Sequence, residues 1–245
     1  MKFILYILLV IISVPLTVFC QIDPSRKPTF NPKRVPFTMD ITCEGSTINL
    51  DDTLKKYTTI EILRLKNVKY IVSTSSSVFE NSHVNRIHFY GCSKESISKV
   101  LTAFSIKKYI QEIWIKGISW GALPEELALF DKIYILIVDS SGRLNLGGLT
   151  RLKAIGVLSI HDSTEIDEFP NYYNPGFRMD SLDMLVDSTN GLPHNTEKIP
   201  GLKHIGLGSF NFKSSAFTKA IAEAARCPHL QALRIFSELQ IGRAH

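Results

Sequence analysis

Residues 84–92 read Val-Asn-Arg-Ile-His-Phe-Tyr-Gly-Cys, with apolar side chains at Val84, Ile87 and Phe89 and Cys92 closing the stretch. Ile87 and Phe89 alternate with Arg86, His88 and Tyr90, the period of two that marks a short strand with one buried side. The same spacing returns at Ile60-Leu63-Leu65-Val68, Ile110-Ile113-Ile115-Ile118, Ile133-Leu136-Val138-Ser141 and Ile155-Leu158-Ile160-Ser163. It returns again at Met179-Leu182-Met184-Asp187, Leu202-Ile205-Leu207-Phe210 and Leu230-Leu233-Ile235-Glu238. That makes eight units in one frame, with first positions 22 to 28 residues apart. Apolar residues at this spacing occur by chance in most sheets, so a single match says little. Eight in one frame are a strong signal.

A unit that hides Ile87 and Phe89 cannot bury them alone, whereas successive units stacked through a parallel sheet share one core. The period lies inside the roughly 20–29 residues of leucine-rich repeats, and from Ile60 to Leu239 the chain resembles that family. The resemblance implies an α/β leucine-rich-repeat solenoid, with a curved parallel sheet on the concave side and helices and turns on the convex side. After Ser93, a candidate helix cap, Ile97, Val100, Leu101 and Phe104 fall at helical spacing, and Phe217, Ile221 and Ala224 repeat the pattern after Ser214. Leu123-Pro124-Glu125-Glu126-Leu127 is similar to the tight Leu-Pro-x-x-Leu turn of the family. The resemblance also implies that Cys92 faces the interior, bonded to loop backbone as an inert thiol.

Outside the repeats, Met1-Lys2 and the apolar run to Phe19 predict a secretory signal peptide over residues 1–20, leaving Gln21 as the new N-terminus. An uncleaved anchor helix is the alternative for this run. Residues 21–37 form a Pro-rich basic linker, and residues 38–59, with Met39, Ile41 and Cys43, resemble an N-terminal capping segment. The repeat domain then covers residues 60–239. Residues 240–245, Gln-Ile-Gly-Arg-Ala-His, match the translation of a common sequencing-library adapter and are expected to be an artefact, with the natural chain continuing past Leu239. Between repeats, Glu165 to Pro175 carries Pro170, Tyr172 and Tyr173 and reads as a protruding loop, either a contact surface or a cover over a repeat edge.

With 44% hydrophobic residues in 245, the chain can build a substantial core. Its formal charge of +5 is too small to argue for nucleic acid, all the more once Lys2 and Arg243 are set aside. Of four cysteines, Cys20 leaves with or borders the signal peptide. Cys43, Cys92 and Cys227 remain, an odd number, with Cys43 and Cys227 at opposite ends of the repeats. No Asn-x-Ser/Thr acceptor occurs, an unexpected absence for a secreted protein.

The frame assigns the side chains opposite the core. The first three strands display Arg64, Lys66, Arg86, His88, Tyr90, Trp114 and Lys116, an arginine and aromatic composition enriched at binding hot spots. Ile135, Ile137 and Val157 follow, and Asp139 and Asp183 reverse the sign. The candidate ligand-binding residues are Arg64, Arg86, His88, Tyr90, Trp114 and Lys116. No catalytic residue, metal site or cofactor is expected. His161-Asp162-Ser163 has the residue types of a hydrolytic triad, but strand neighbours point to opposite sides, and Gly206-Leu207-Gly208 lacks the rest of a phosphate loop. The expected protein is therefore a secreted or cell-surface recognition protein binding a protein or glycan ligand, with membrane association only through a segment beyond Leu239. The alternative is an intracellular adaptor. Arg226-Cys227-Pro228-His229-Leu230-Gln231 resembles the cysteine-containing repeats of ubiquitin-ligase substrate receptors and ribonuclease inhibitor.

Overall fold

The computed structural model describes residues 37–236 apart from 43–46, 56, 58, 59, 81, 140, 162, 163, 187–190 and 210. The expectations for the signal peptide, the linker, Cys43 and the last residues lie outside the described residues. In chain order the strands are β1 (Phe37–Thr42), β2 (Thr47–Asn49), β3 (Ile60–Lys66), β4 (Tyr70–Ser73), β5 (Arg86–Tyr90) and β6 (Tyr109–Lys116). They continue with β7 (Lys132–Asp139), β8 (Ala154–His161), β9 (Arg178–Leu185), β10 (His204–Gly208) and β11 (Ala232–Phe236). Four helices lie between them, α1 (Leu50–Leu54), α2 (Ser76–Glu80), α3 (Lys94–Phe104) and α4 (Ser215–Ala224). The result is a mixed α/β fold with one nine-stranded sheet in the order β1-β3-β5-β6-β7-β8-β9-β10-β11. Every pairing in it is parallel.

All eight units of the sequence frame are strands of this sheet, and they pair in the frame's own register. Leu63 opposes Ile87, which opposes Ile113, and the row continues through Leu136, Leu158, Leu182, Ile205 and Leu233. From Leu63 to Ile205 each member is 0% exposed. Each such side chain contributes about 1.5–3 kcal/mol relative to exposure. Met39 and Ile41 of β1 pack against the same core at one end. At the other end Ile235 is 53% exposed, although Leu207, at the same frame position one strand earlier, is 0% exposed.

The connections fill the other side of the core. Ser93 Oγ accepts from Ser96 N at 3.2 Å and Ser214 Oγ from Phe217 N at 3.1 Å, so both helix starts are capped where the sequence places them. The buried stripe of α3, Ile97, Val100, Leu101 and Phe104, faces inward, and Phe104 lies edge-on to Phe79 at 4.9 Å. Residues 125–129 form a single 3-10 turn with Leu127 buried. The small sheet of β2 and β4 was not expected. The loop expected to protrude at 165–175 is divided: Phe169 is 0% and Tyr172 75% exposed, while Tyr173 stacks on Phe177 at 4.9 Å. Among the described residues no helix is long and apolar enough to cross a membrane.

A second ladder fixes where the strands end. Asn67, Gly91 and Gly117 follow β3, β5 and β6 with φ of 55°, 61° and 82°. Their N–H groups donate to Tyr90 O, Lys116 O and Asp139 O on the next strand, at 2.8, 3.0 and 3.0 Å. One residue further on, the thiol of buried Cys92 donates to Leu65 O at 3.2 Å. At the equivalent place Ser141 Oγ donates to Asp139 O and accepts from Ile118 N. An alanine Cβ at Gly91 would meet Asn67 Oδ1 at 2.7 Å on a left-handed backbone. Gly91→Ala is therefore expected to destabilise the chain by about 1–2 kcal/mol; urea unfolding of the variant beside the unchanged chain checks this.

Candidate functional site

Side chains on the sheet's outer surface fall into rows, because parallel pairing sets equivalent residues side by side about 4.8 Å apart. One row runs Asp40, Arg64, His88, Trp114, Ile137, Ser159, Asp183, Gly206, Arg234. The row beside it includes Ile62, Arg86, Glu112, Ile135, Val157 and Ser181. Tyr90, Lys116, Asp139 and His161 form a third.

The structure brings the six sequence-predicted residues together on β3, β5 and β6, and engages their charges within the chain. Arg64 lies 3.9 Å from Asp40 and donates from Nε to His88 Nδ1 at 3.4 Å. His88 Nε2 meets Glu112 Oε1 at 2.6 Å. A guanidinium can only donate, so Nδ1 is the acceptor and the ring proton sits on Nε2, directed at the carboxylate. The Tyr90 hydroxyl also reaches Nδ1, at 3.3 Å. The Trp114 ring lies 5.4 Å from His88 and 5.6 Å from Tyr90. His88 is consequently only 3% exposed: it holds Arg64, Tyr90 and Glu112 in place rather than being displayed. Arg86 bonds Gln111 and lies 3.7 Å from Glu61, and Lys116 lies 3.0 Å from Asp139. Burial pushes the Tyr90 phenol up from its ordinary pKa, with Arg64 opposing.

Beyond this cluster the outer surface turns apolar. A cavity of about 650 Å³ is lined by Arg64, Arg86 and His88 on one side and by Ile135, Ile137 and Val157 in its middle, with Ser159, Asp183 and Phe236 further along. A neighbouring one of about 770 Å³ shares Gln111, Ile135, Val157 and Asp183. Tyr90, Trp114 and Lys116 line neither, so the opening lies nearer the middle of the sheet than the arginine and aromatic composition suggests. Gly206 helps to shape it: a Cβ there would lie 2.3 Å from Asp183 Oδ1 and 2.8 Å from Phe236 Cε1. The Gly-x-Gly run thus makes room for two side chains on the outer surface. The visible sequence signal for this centre was three aliphatic residues at outward positions.

Ser159 Oγ lies 2.6 Å from His161 Nε2, the separation of a nucleophile and its base. β8 is an interior strand, so its own backbone N–H groups are spent on sheet pairing and supply no oxyanion donors. The pair is read as a structural hydrogen bond. Asp162 and Ser163 lie outside the described residues, as does any test of the adjacent triad-like run. Among the described residues no cluster of His, Cys, Asp and Glu is arranged to hold a metal ion. The Cys227 thiol is buried and pushed up to about 11 by that burial, with Glu197 adding to it.

Two variants probe the site. His88→Ala removes a buried hydrogen-bonding hub and is expected to cost on the order of 2–4 kcal/mol, against almost nothing for Lys55→Ala at an exposed pair; denaturant midpoints compare them. Burial raises the pKa of the Asp183 carboxyl above its ordinary value, opposed by Arg234, Ser181 and His204. An acid raised in the folded state binds its proton more tightly there, so the charged form weakens folding above the folded pKa and the loss is recovered as pH falls through it. Asp183→Asn is expected to raise the melting temperature at pH 7, and its advantage to shrink on acidification; thermal scans from pH 7 to 4 read this.

No family model matches the chain, and no match is found among curated proteins or solved structures.

Proposed function

We propose that this chain is a leucine-rich-repeat solenoid, secreted or held at the cell surface, that recognises a protein or glycan ligand through the concave outer side of its sheet and carries no catalytic activity. The observation behind the reading is the placement of Ile135, Ile137 and Val157 on that side, lining one cavity with arginines to one flank and Asp183 to the other. An apolar centre within a charged rim is the anatomy of a recognition surface. The family reading rests on the common register of eight strands set 22 to 28 residues apart, and on the Cys92 and Ser141 side chains bonded to backbone at equivalent places. Arg64, Arg86, His88, Tyr90, Trp114 and Lys116 are assigned to the rim.

The intracellular adaptor keeps one observation in its favour, the buried free thiol of Cys227. Expression of the full sequence in cultured eukaryotic cells separates the two readings. The expected outcome is a chain in the medium beginning at Gln21; recovery only from the cytosol, with Met1 retained, favours the adaptor. Once a ligand is captured, Ile135→Lys is expected to weaken it at least tenfold with the fold intact by circular dichroism, and unchanged affinity would remove the outer side of the sheet from consideration.

A further inference from the structure

We infer that the two adjoining cavities form one groove for an extended segment of a protein partner, seating an apolar side chain on Ile135 and Val157 and a basic side chain at Asp183. The inference rests on the recognition reading above and names the chemistry of its ligand. Both cavities contain Ile135, Val157 and Asp183, and Asp183 is the charged residue they share. Its electrostatic setting differs from that of Asp40, Glu61 and Asp139. Asp40 faces Arg64 and Lys66, Glu61 faces Arg86, and Asp139 faces Lys116. Burial disfavours the charge of Asp183, while Arg234, the Ser181 hydroxyl and His204 favour it. Among the described residues it is in no ion pair.

The absence of a side chain at Gly206 lets Asp183 lean across β10. A carboxylate partly withdrawn from water without a cation in contact is costly, and an arriving ammonium or guanidinium relieves that cost while gaining a charge-assisted bond. Neutral or acidic segments gain nothing there. The spacing is also specific. Asp183 lies one strand and two residues from Val157 in the register, where Val157 opposes Ser181. That separation is about 8 Å, from strands about 4.8 Å apart and about 3.3 Å of rise per residue. Side chains two apart on an extended segment stand about 7 Å from each other on one side. An aliphatic residue followed two positions later by arginine or lysine therefore spans the two points, and arginine's planar fork suits a carboxylate better.

The test uses the full chain labelled with ¹³C at isoleucine and valine methyls, and the peptides Ac-Gly-Leu-Ser-Arg-Gly-NH2 and Ac-Gly-Leu-Ser-Glu-Gly-NH2. The arginine peptide is expected to shift the Ile135 and Val157 methyls saturably, and the glutamate peptide to bind at least tenfold more weakly. Asp183→Asn, which the pKa direction predicts to fold well, is expected to weaken the arginine peptide tenfold or more. No saturable shift, equal binding of both peptides, or indifference to Asp183→Asn would overturn the inference. Saturable shifts from a chito-oligosaccharide but from neither peptide assign the groove to a glycan and overturn it also, while leaving the recognition reading standing. Shifts confined to the isoleucines and valines nearest Trp114 do the same. If neither peptides nor oligosaccharide perturb any outer methyl, and a captured ligand is indifferent to Ile135→Lys, the recognition reading falls with it.

Discussion

The structure depends on one constraint: the inner half of each strand has nothing to pack against except the connection that follows it and the strands on either side. Leu63, Ile87 and Ile113 are fully buried because they stand in one row, each flanked by the equivalent residue of a neighbouring unit. In a strand the side-chain period is two, so a slip of one residue in any pairing would carry that strand's whole inner set to the outer surface. The ladder of Asn67, Gly91 and Gly117 works against such a slip. Each left-handed residue anchors its N–H to the next strand at a fixed place, and the buried Cys92 and Ser141 side chains tie down the backbone just beyond. Register is thus set twice, by burial along the strands and by hydrogen bonds at their ends.

The same register determines what the outer surface can do. Residues about one repeat apart in sequence become cross-strand neighbours, so Arg64 meets Asp40, His88 meets Glu112 and Lys116 meets Asp139. A half-exposed pair such as Arg64 with Asp40 contributes little to stability, with a median of about 0–1 kcal/mol. The His88 to Glu112 bond differs because both groups are buried. Held at one end by Arg64 and flanked by Tyr90 and Trp114, it fixes the rotamers of the surrounding side chains. A preorganised rim lowers the ordering cost of binding. That is a more useful role for a buried imidazole here than direct contact.

Most of the sheet was legible in the sequence because each strand carries two independent signals, alternation within the unit and recurrence between units. The starts of α3 and α4 were legible for a local reason, since Ser93 and Ser214 stand immediately ahead of amphipathic runs and cap them. The pairing of β2 with β4 was not. Thr47–Asn49 and Tyr70–Ser73 are too short to show a period, and their parallel pairing is a tertiary choice. The burial of His88 was hidden too: its frame position points outward, and Arg64, Glu112 and the aromatic neighbours on β5 and β6 enclose it. Ile135 and Val157 stood in the outward set from the start, yet their frame positions gave no sign of a cavity. Its outline draws on Gly206, whose missing side chain lets Asp183 and Phe236 close over β10.

Asp183 sets this middle region apart from the rest of the outer surface. At Asp40, Glu61 and Asp139 a cation within the chain answers the carboxylate, so a partner must compete with an existing intramolecular contact. At Asp183 burial opposes ionisation and the nearby cations act only at a distance. Folding alone gives no reason to keep a carboxylate there, since a neutral amide of the same shape costs less to bury. A residue that weakens the fold while facing an open groove is the pattern expected when stability is given up for binding. The apolar floor beside it supplies area without direction, and the carboxylate supplies direction with little area. On the proposed recognition reading, together they place the selectivity of this surface at the junction of β8, β9 and β10, with the arginine and aromatic cluster serving as its ordered flank.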